Sequence, residues 1–147
     1  MQKKTSLGII IPCYNEAANI AYFQSELEGF LKYLSEQRKD LAVRFYIIEN
    51  NSTDGTCDQL SKLAEKFPDH LTIDNCPRQG YGASLKHGFG KFSSQSDYMA
   101  FLLKSSCCKN FKYFTFMDHS GTMRISRKPE KKSSVLKLYK ILESDVS

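Results

Sequence analysis

Four short polar clusters stand out because each directly follows an apolar run. The first is Pro12-Cys13-Tyr14-Asn15-Glu16, which offers an aromatic ring and a carboxylate. The second opens with Glu49 and continues Asn50-Asn51-Ser52-Thr53-Asp54-Gly55. A carboxylate there can accept hydrogen bonds from a ribose diol or a base edge. The third runs Asn75-Cys76-Pro77-Arg78 into Gln79-Gly80-Tyr81-Gly82. Its glycines let backbone N–H groups approach a phosphate where a helix begins, and Arg78 adds a cation to the same turn. The fourth is Asp118-His119-Ser120. An isolated carboxylate after a strand can hold Mg²⁺ or Mn²⁺ against a diphosphate, and imidazole suits Mn²⁺.

Two of the clusters also have a plainer interpretation. Residues 50–55 are pure turn chemistry, and Asp118 can simply begin a turn with Ser120 and Gly121. His70 and His87 have no obvious partners and are read as structural. Two fingerprints are absent: no G-x-G-x-x-G follows the first apolar run, and no G-K-[ST] occurs anywhere.

The elements that must position these clusters alternate. Residues 7–11 are short, β-branched and followed by Pro12, which predicts a buried strand ending there. Asn15 then suits a helix N-cap. Ile20, Phe23, Leu27, Phe30, Leu31 and Leu34 form one helical stripe over residues 17–35. Residues 43–48 predict a second strand, and Thr56 with Gln59 a capping box. Leu60, Leu63, Ala64 and Phe67 mark a helix ended by Pro68. Residues 71–74 predict a third strand and 83–92 a third helix. Residues 93–110 fit either a helix or a strand and read as an insert. Residues 111–117 predict a strand ending at Asp118, and Val135, Leu138, Tyr139 and Leu142 a last helix. Such alternation predicts an α/β fold, a mainly parallel sheet with helices on both faces, in one domain over residues 1–147. Ligands of such sheets sit beyond the carboxyl ends of the strands.

Composition sets the remaining bounds. The chain has 147 residues, 41% apolar and 25% charged, which excludes wholesale disorder. Its apolar runs are too short for a signal peptide or a spanning helix, so a cytoplasmic protein is expected. Five cysteines, two of them adjacent and none in C-x-x-C, fit neither a disulfide framework nor a zinc site, and predict mostly buried thiols. Most of the net charge of +5 falls in residues 122–147. No aromatics suited to base stacking are interleaved there, so no nucleic-acid partner is expected. A solvated helix face or peripheral contact with an anionic membrane surface fits that segment.

Taken in order, three motifs resemble family-two glycosyltransferases, which include the polyprenyl-phosphate sugar synthases. They are Ile9-Ile10-Ile11-Pro12-Cys13-Tyr14-Asn15-Glu16, then Ile47-Ile48-Glu49-Asn50-Asn51-Ser52-Thr53-Asp54-Gly55-Thr56, then Gly80-Tyr81-Gly82-Ala83-Ser84-Leu85-Lys86-His87-Gly88-Phe89. Residues 116–123 are similar to the family's D-x-D strand end. The resemblance implies a type-A, Rossmann-like glycosyltransferase fold with a nucleotide-diphosphate sugar across the strand ends. It implies that Pro12, Tyr14 and Glu16 line the nucleotide pocket, and that Glu49 stands where the family usually has an aspartate on the base or ribose. Asn51 belongs to the same pocket, Arg78 and Gly80 flank the phosphates, and Asp118 is the first metal-binding acid. The implied acceptor is a polyprenyl phosphate or a glycan, and the implied reaction an inverting transfer.

The sequence departs from this pattern in ways that matter. Ser120 replaces the second acid of D-x-D, which weakens the case for a divalent cation, Mg²⁺ or Mn²⁺. The insert before residue 111 is long, and the chain ends near Ser147, before the half that supplies the acceptor site and general base. The expectation is therefore a donor-binding portion of such an enzyme, truncated before the acceptor half. The alternative is a degenerate nucleotide-sugar-binding module without turnover.

Overall fold

The computed structural model describes residues 3–104, 111–117 and 123–125. Six strands form one sheet in the order β3-β2-β1-β4-β5-β6: β1 Thr5–Cys13, β2 Leu41–Glu49, β3 Leu71–Asn75, β4 Tyr98–Lys104, β5 Phe111–Met117 and β6 Met123–Ile125. Helices α1 Ile20–Gln37, α2 Thr56–Lys66 and α3 Tyr81–Phe92 connect the first four strands. β1 pairs in parallel with both β2 and β4, and β2 in parallel with β3. Strand order thus reverses at β1: the chain moves outward to β3, then crosses back to lay β4 on the other side of β1.

Alternation along the strands sorts the core into two layers. Leu7, Ile9 and Ile11 of β1 and Val43, Phe45 and Ile47 of β2 join Leu27, Phe30 and Leu34 of α1 and Leu60 and Leu63 of α2. Ile10, Tyr46 and Ile48 face the other way, with Phe92 of α3 and Met99 and Phe101 of β4. The two sheet faces are therefore both covered, and the central strands read as nearly continuous apolar runs. Aromatic edges lock the first layer, Phe45 lying 5.7 Å from Phe30 and 6.3 Å from Phe23. Tyr46 stacks on Phe92 at 4.2 Å in the second. α3 comes close to the sheet at Gly88, where an added Cβ would lie 2.9 Å from Ile10 Cγ2 and 3.0 Å from Ile48 Cγ1.

Several expectations are corrected. β1 does not stop before Pro12: it continues to Cys13, with Pro12 in register with Ile48. The odd-numbered residues of β1 bond to β2, as the Thr5 N–H to Asp40 and the Cys13 carbonyl from Asn50 show. The nitrogen of Pro12 therefore points toward β4, whose pairing with β1 ends at Ile10 and Phe101, and no ladder bond is lost. The segment left open between helix and strand contains β4. Residues 111–117 form a strand as expected, but β5 runs antiparallel to β4. Only six residues separate Lys104 from Phe111. A parallel return needs a crossover of about a dozen or more. The last helix expected around Val135 to Leu142 lies outside the described residues. No helix among the described residues is long and apolar enough to cross a membrane.

At the amino ends of the strands, Ser6 and Asp97 bind reciprocally. The Ser6 N–H donates to Asp97 Oδ2 at 2.9 Å and the Asp97 N–H donates to Ser6 Oγ at 2.8 Å. This clasp sets β4 against β1 across 91 residues of sequence.

Candidate functional site

The carboxyl ends of β1, β2 and β3 lie level, Cys13 beside Glu49 and Glu49 beside Asn75. Their following loops therefore emerge on one edge, where the strand order reverses and open α/β sheets bind ligands. Side-chain hydrogen bonds then fasten the loops to one another.

The loop after β1 is held by the loop after β2. Asn15, in a left-handed conformation at φ 49°, donates its N–H to Ser52 Oγ at 2.9 Å and accepts from the Thr53 N–H at 2.8 Å. The Glu16 N–H donates to Thr56 Oγ1 at 2.9 Å, and the Ala17 N–H to Asp54 Oδ2 at 3.2 Å. Thr56 is fully buried, and its hydroxyl donates to Asp54. That hydrogen bond, together with those from the Ala17 and Thr56 N–H groups, holds the Asp54 carboxyl below its ordinary pKa against a smaller opposing effect of burial.

This arrangement corrects two local expectations. Asn15 caps no helix, because α1 begins only at Ile20. Thr56 makes no capping box either: Gly55, at φ 85°, is the N-cap of α2 and Thr56 is its first residue. Both side chains accept from backbone N–H groups about 40 residues away, and Thr56 also donates to Asp54.

Glu49 turns back on its own loop. Its two carboxylate oxygens accept from the N–H groups of Asn51 at 3.0 Å and Ser52 at 2.7 Å, and the residue is 4% exposed. Asn51 adopts φ 56° and donates to the Cys76 carbonyl at 3.4 Å. Asn50, also buried, reaches the turn before α3. Tyr14, Arg78 and Gly80 are exposed at this edge, Pro12 and Glu16 half-buried, and Glu16 Oε2 accepts from Asn19 Nδ2 at 2.7 Å.

The structure thus gathers Pro12, Tyr14, Glu16, Glu49, Asn51, Arg78 and Gly80 on one edge of the sheet. Asp118 lies outside the described residues, as does Ser120. β5 leads away from the edge: Met117 pairs with Met99, near the amino end of β4. The strand that adjoins β1 here is β4, Tyr-Met-Ala-Phe-Leu-Leu-Lys, which carries no acid. Sequence reasoning missed Asn50, Ser84 and the long-range roles of Asp54 and Thr56. The usable signal for Asn50 was a polar residue set just past Ile47-Ile48-Glu49, at the end of a strand whose burial was foreseeable.

The described donors at this edge do not compose a divalent-cation site. Both Glu49 oxygens, Glu16 Oε2 and both Asp54 oxygens already accept hydrogen bonds. Among the described residues no cluster of three His, Cys, Asp or Glu side chains is placed to hold a metal ion. His70 and His87, expected to lack partners, each have one: His70 Nδ1 lies 3.2 Å from the Val43 carbonyl and His87 Nε2 2.8 Å from Asp74 Oδ2. Cys13 and Cys76 are buried thiols, whereas Cys57 is exposed.

A doubly wound sheet with polar loops tied together at its switch point defines an open α/β class whose ligand sites lie at that edge. The chain belongs to glycosyl transferase family 2, whose model matches residues 8–102. It is similar to the succinoglycan biosynthesis protein ExoA of Rhizobium meliloti, 33% identical over 95 residues, which cover 65% of this chain and 26% of ExoA. It is also similar to the dolichyl-phosphate beta-glucosyltransferase ALG5A of Trichomonas vaginalis, 24% identical over 82 residues, 56% of this chain and 25% of that one. The chain spans about a quarter of the length of these relatives. Among solved structures, the mannosyltransferase PcManGT from Pyrobaculum calidifontis, in complex with GDP-Man and Mn²⁺, matches at 26% identity with a TM-score of 0.47. That match covers 67% of this chain and 27% of PcManGT.

Proposed function

We propose that this chain is the donor-binding portion of a glycosyltransferase and holds a nucleotide-diphosphate sugar across the carboxyl ends of β1, β2 and β3. The observation that supports this is the fastening of three loops into one surface at the edge where strand order reverses. Tyr14 offers an exposed ring for the base, with Pro12 and Glu16 beside it. Glu49 shapes the wall toward the ribose by fixing the backbone of residues 51 and 52, and Asn51 ties that loop to the Cys76 carbonyl. Arg78 and the start of α3 just after Gly80 supply positive charge and backbone N–H groups for the diphosphate.

In the proposed transfer, an acceptor oxygen attacks the anomeric carbon with inversion while a base removes its proton and the nucleoside diphosphate departs. This chain's contribution is to orient the donor and offset the charge of the leaving group through Arg78 and the α3 N-terminus. The acceptor, a polyprenyl phosphate or a glycan, is inferred from relatives such as the dolichyl-phosphate glucosyltransferase. Because the described donors do not fit a metal ion, no step is assigned to one.

Thermal denaturation of the full chain with UDP- and GDP-sugars, in Mn²⁺ or in EDTA, tests the proposal. At a donor concentration about 100 times Kd, stabilisation is about 2.7 kcal/mol. For a chain of this size that is a rise of roughly 5–11 °C in Tm. No shift with any UDP- or GDP-sugar refutes it. A second reading, a binding module without turnover, is favoured by the acid-free β4 and the reversed β5. Sugar transfer or donor hydrolysis by this chain alone eliminates that reading, whereas a measurable Kd without turnover supports it.

A further inference from the structure

The turn at residues 77–82 is exposed throughout, and a Cβ placed at Gly80 or Gly82 would meet nothing within 4 Å. Burial does not hold this turn in place. Gly80 has φ 117° and ψ 152°, a conformation reserved for glycine, and no side chain caps α3. α3 itself is placed by its packing at Ser84 and Gly88, so the position of Arg78 in the exposed turn depends on the polar bonds that reach it.

Most of those bonds come from one residue. Asn50 is 6% exposed, and its Nδ2 donates both to the Arg78 carbonyl at 2.8 Å and to Ser84 Oγ at 2.9 Å. Its Oδ1 accepts from the Gly80 N–H at 3.1 Å. Its backbone N–H donates to the Cys13 carbonyl at 2.9 Å, so the same residue is pinned to the end of β1. A further bond to the turn, from Cys76 Sγ to the Arg78 carbonyl at 3.2 Å, is a weak thiol donor. Both amide protons of Asn50 are used, which leaves it no donor for a ligand. The three bonds also fix its amide orientation, since a flipped amide would set oxygen against the Arg78 carbonyl.

We propose that Asn50 is a positioning residue that aims the turn at residues 78–80 toward the donor's diphosphate without touching the donor. The inference rests on the donor-binding proposal above, and it names the element that sets phosphate affinity. Nucleoside contacts sit on the loops after β1 and β2, which Asn15, Asp54 and Thr56 hold independently. Loss of the Asn50 side chain therefore affects diphosphate-bearing ligands and spares nucleosides.

The test is titration of the full chain with uridine, guanosine, UDP and GDP, followed by NMR, on wild type, Asn50→Ala, Asn50→Asp and Ser84→Ala. Asn50→Ala is expected to weaken the bound diphosphate by about 10- to 100-fold, the scale of a displaced positioning contact, with the matching nucleoside changed less than about 3-fold. Asn50→Asp retains acceptors for Gly80 and Ser84 but faces the Arg78 carbonyl with an oxygen, and is expected to behave like Asn50→Ala. Ser84→Ala removes one anchor while Asn50 stays, with an expected loss of about 3- to 10-fold on the diphosphate only. It decides the matter if the Asn50 variants do not fold. Equal losses on nucleoside and diphosphate, or undiminished diphosphate affinity in every folded variant, overturn the inference. If wild type binds neither UDP nor GDP, the donor-binding proposal itself fails and takes this inference with it. If wild type binds and the variants show no selectivity, only the role of Asn50 is lost.

Discussion

Gly88 and Gly90 lie two residues apart on α3 and offer a controlled comparison. Replacing either by Ala gains about 1 kcal/mol of helix propensity. At Gly90 nothing lies within 4 Å of the new Cβ, so that gain stands alone. At Gly88 the Cβ would lie 2.9 Å from Ile10 Cγ2, 3.0 Å from Ile48 Cγ1 and 3.1 Å from Ile48 Cδ1. Cγ1 and Cγ2 are bonded to Cβ atoms of β-branched strand residues and have little freedom to swing away. The helix must lift instead, and overpacking of this kind costs about 1–3 kcal/mol. The packing cost therefore cancels or exceeds the propensity gain. Gly90→Ala should raise Tm by roughly 2–4 °C, and Gly88→Ala should leave it unchanged or lower it by up to roughly 8 °C. Calorimetry or circular-dichroism melts of the three proteins at one pH give the answer. If Gly88→Ala proves as stabilising as Gly90→Ala, α3 does not sit against Ile10 and Ile48.

Three further outcomes are expected. Thr56→Val keeps the shape of a fully buried side chain but leaves the Glu16 N–H without its acceptor, and should cost about 1–3 kcal/mol in urea denaturation. Glu49→Gln presents an NH₂ group to one of the two N–H donors of residues 51 and 52, and should destabilise by a similar amount of about 1–3 kcal/mol in the same assay. For Asp74, burial pushes the pKa up, but hydrogen bonds from Lys91 at 2.9 Å and His87 at 2.8 Å, with the Lys91 charge, outweigh it and leave the carboxyl below the ordinary 3.8. A depressed folded-state pKa means stability that is present above the unfolded value and lost as pH falls below it. Tm measured from pH 6 downward should therefore fall below about pH 4, and Asp74→Asn should start lower and show a shallower acid loss.

Much of the fold is written in local pattern. The stripe of Ile20, Leu27, Phe30 and Leu34 and the apolar runs at Ile9 and Ile47 announce their elements because buried faces need a fixed period. β4 was not legible in the same way, since a short apolar run such as Met99 to Leu103 suits a helix or a strand until its neighbours are known. The direction of β5 depends on the length of the link from β4, so missing one strand also hid the orientation of the next. Within the site, Arg78, Gly80 and Glu49 are legible by residue type and place. Asn15 and Thr56 misled because their side chains satisfy local caps in most proteins, whereas here they bond across the two loops. No spacing rule in the sequence shows that Asn50 reaches Ser84, because that contact exists only once β2 and α3 have packed.

The Ser6 and Asp97 clasp bears on how the molecule comes into being. β1 precedes the other described strands in the chain, yet it ends in the middle of the sheet. β2 reaches one flank after 36 residues, as the pairing of Thr5 with Leu41 shows, but the other flank waits for Tyr98. At translation speeds of about 5–20 residues per second, that side of β1 stays bare on the ribosome for roughly 5–18 seconds. Nascent β1-α1-β2-α2-β3 is thus a half-finished sheet with one unpaired interior edge. β4 closes that flank of β1, and β5 and β6 then extend the sheet beyond it.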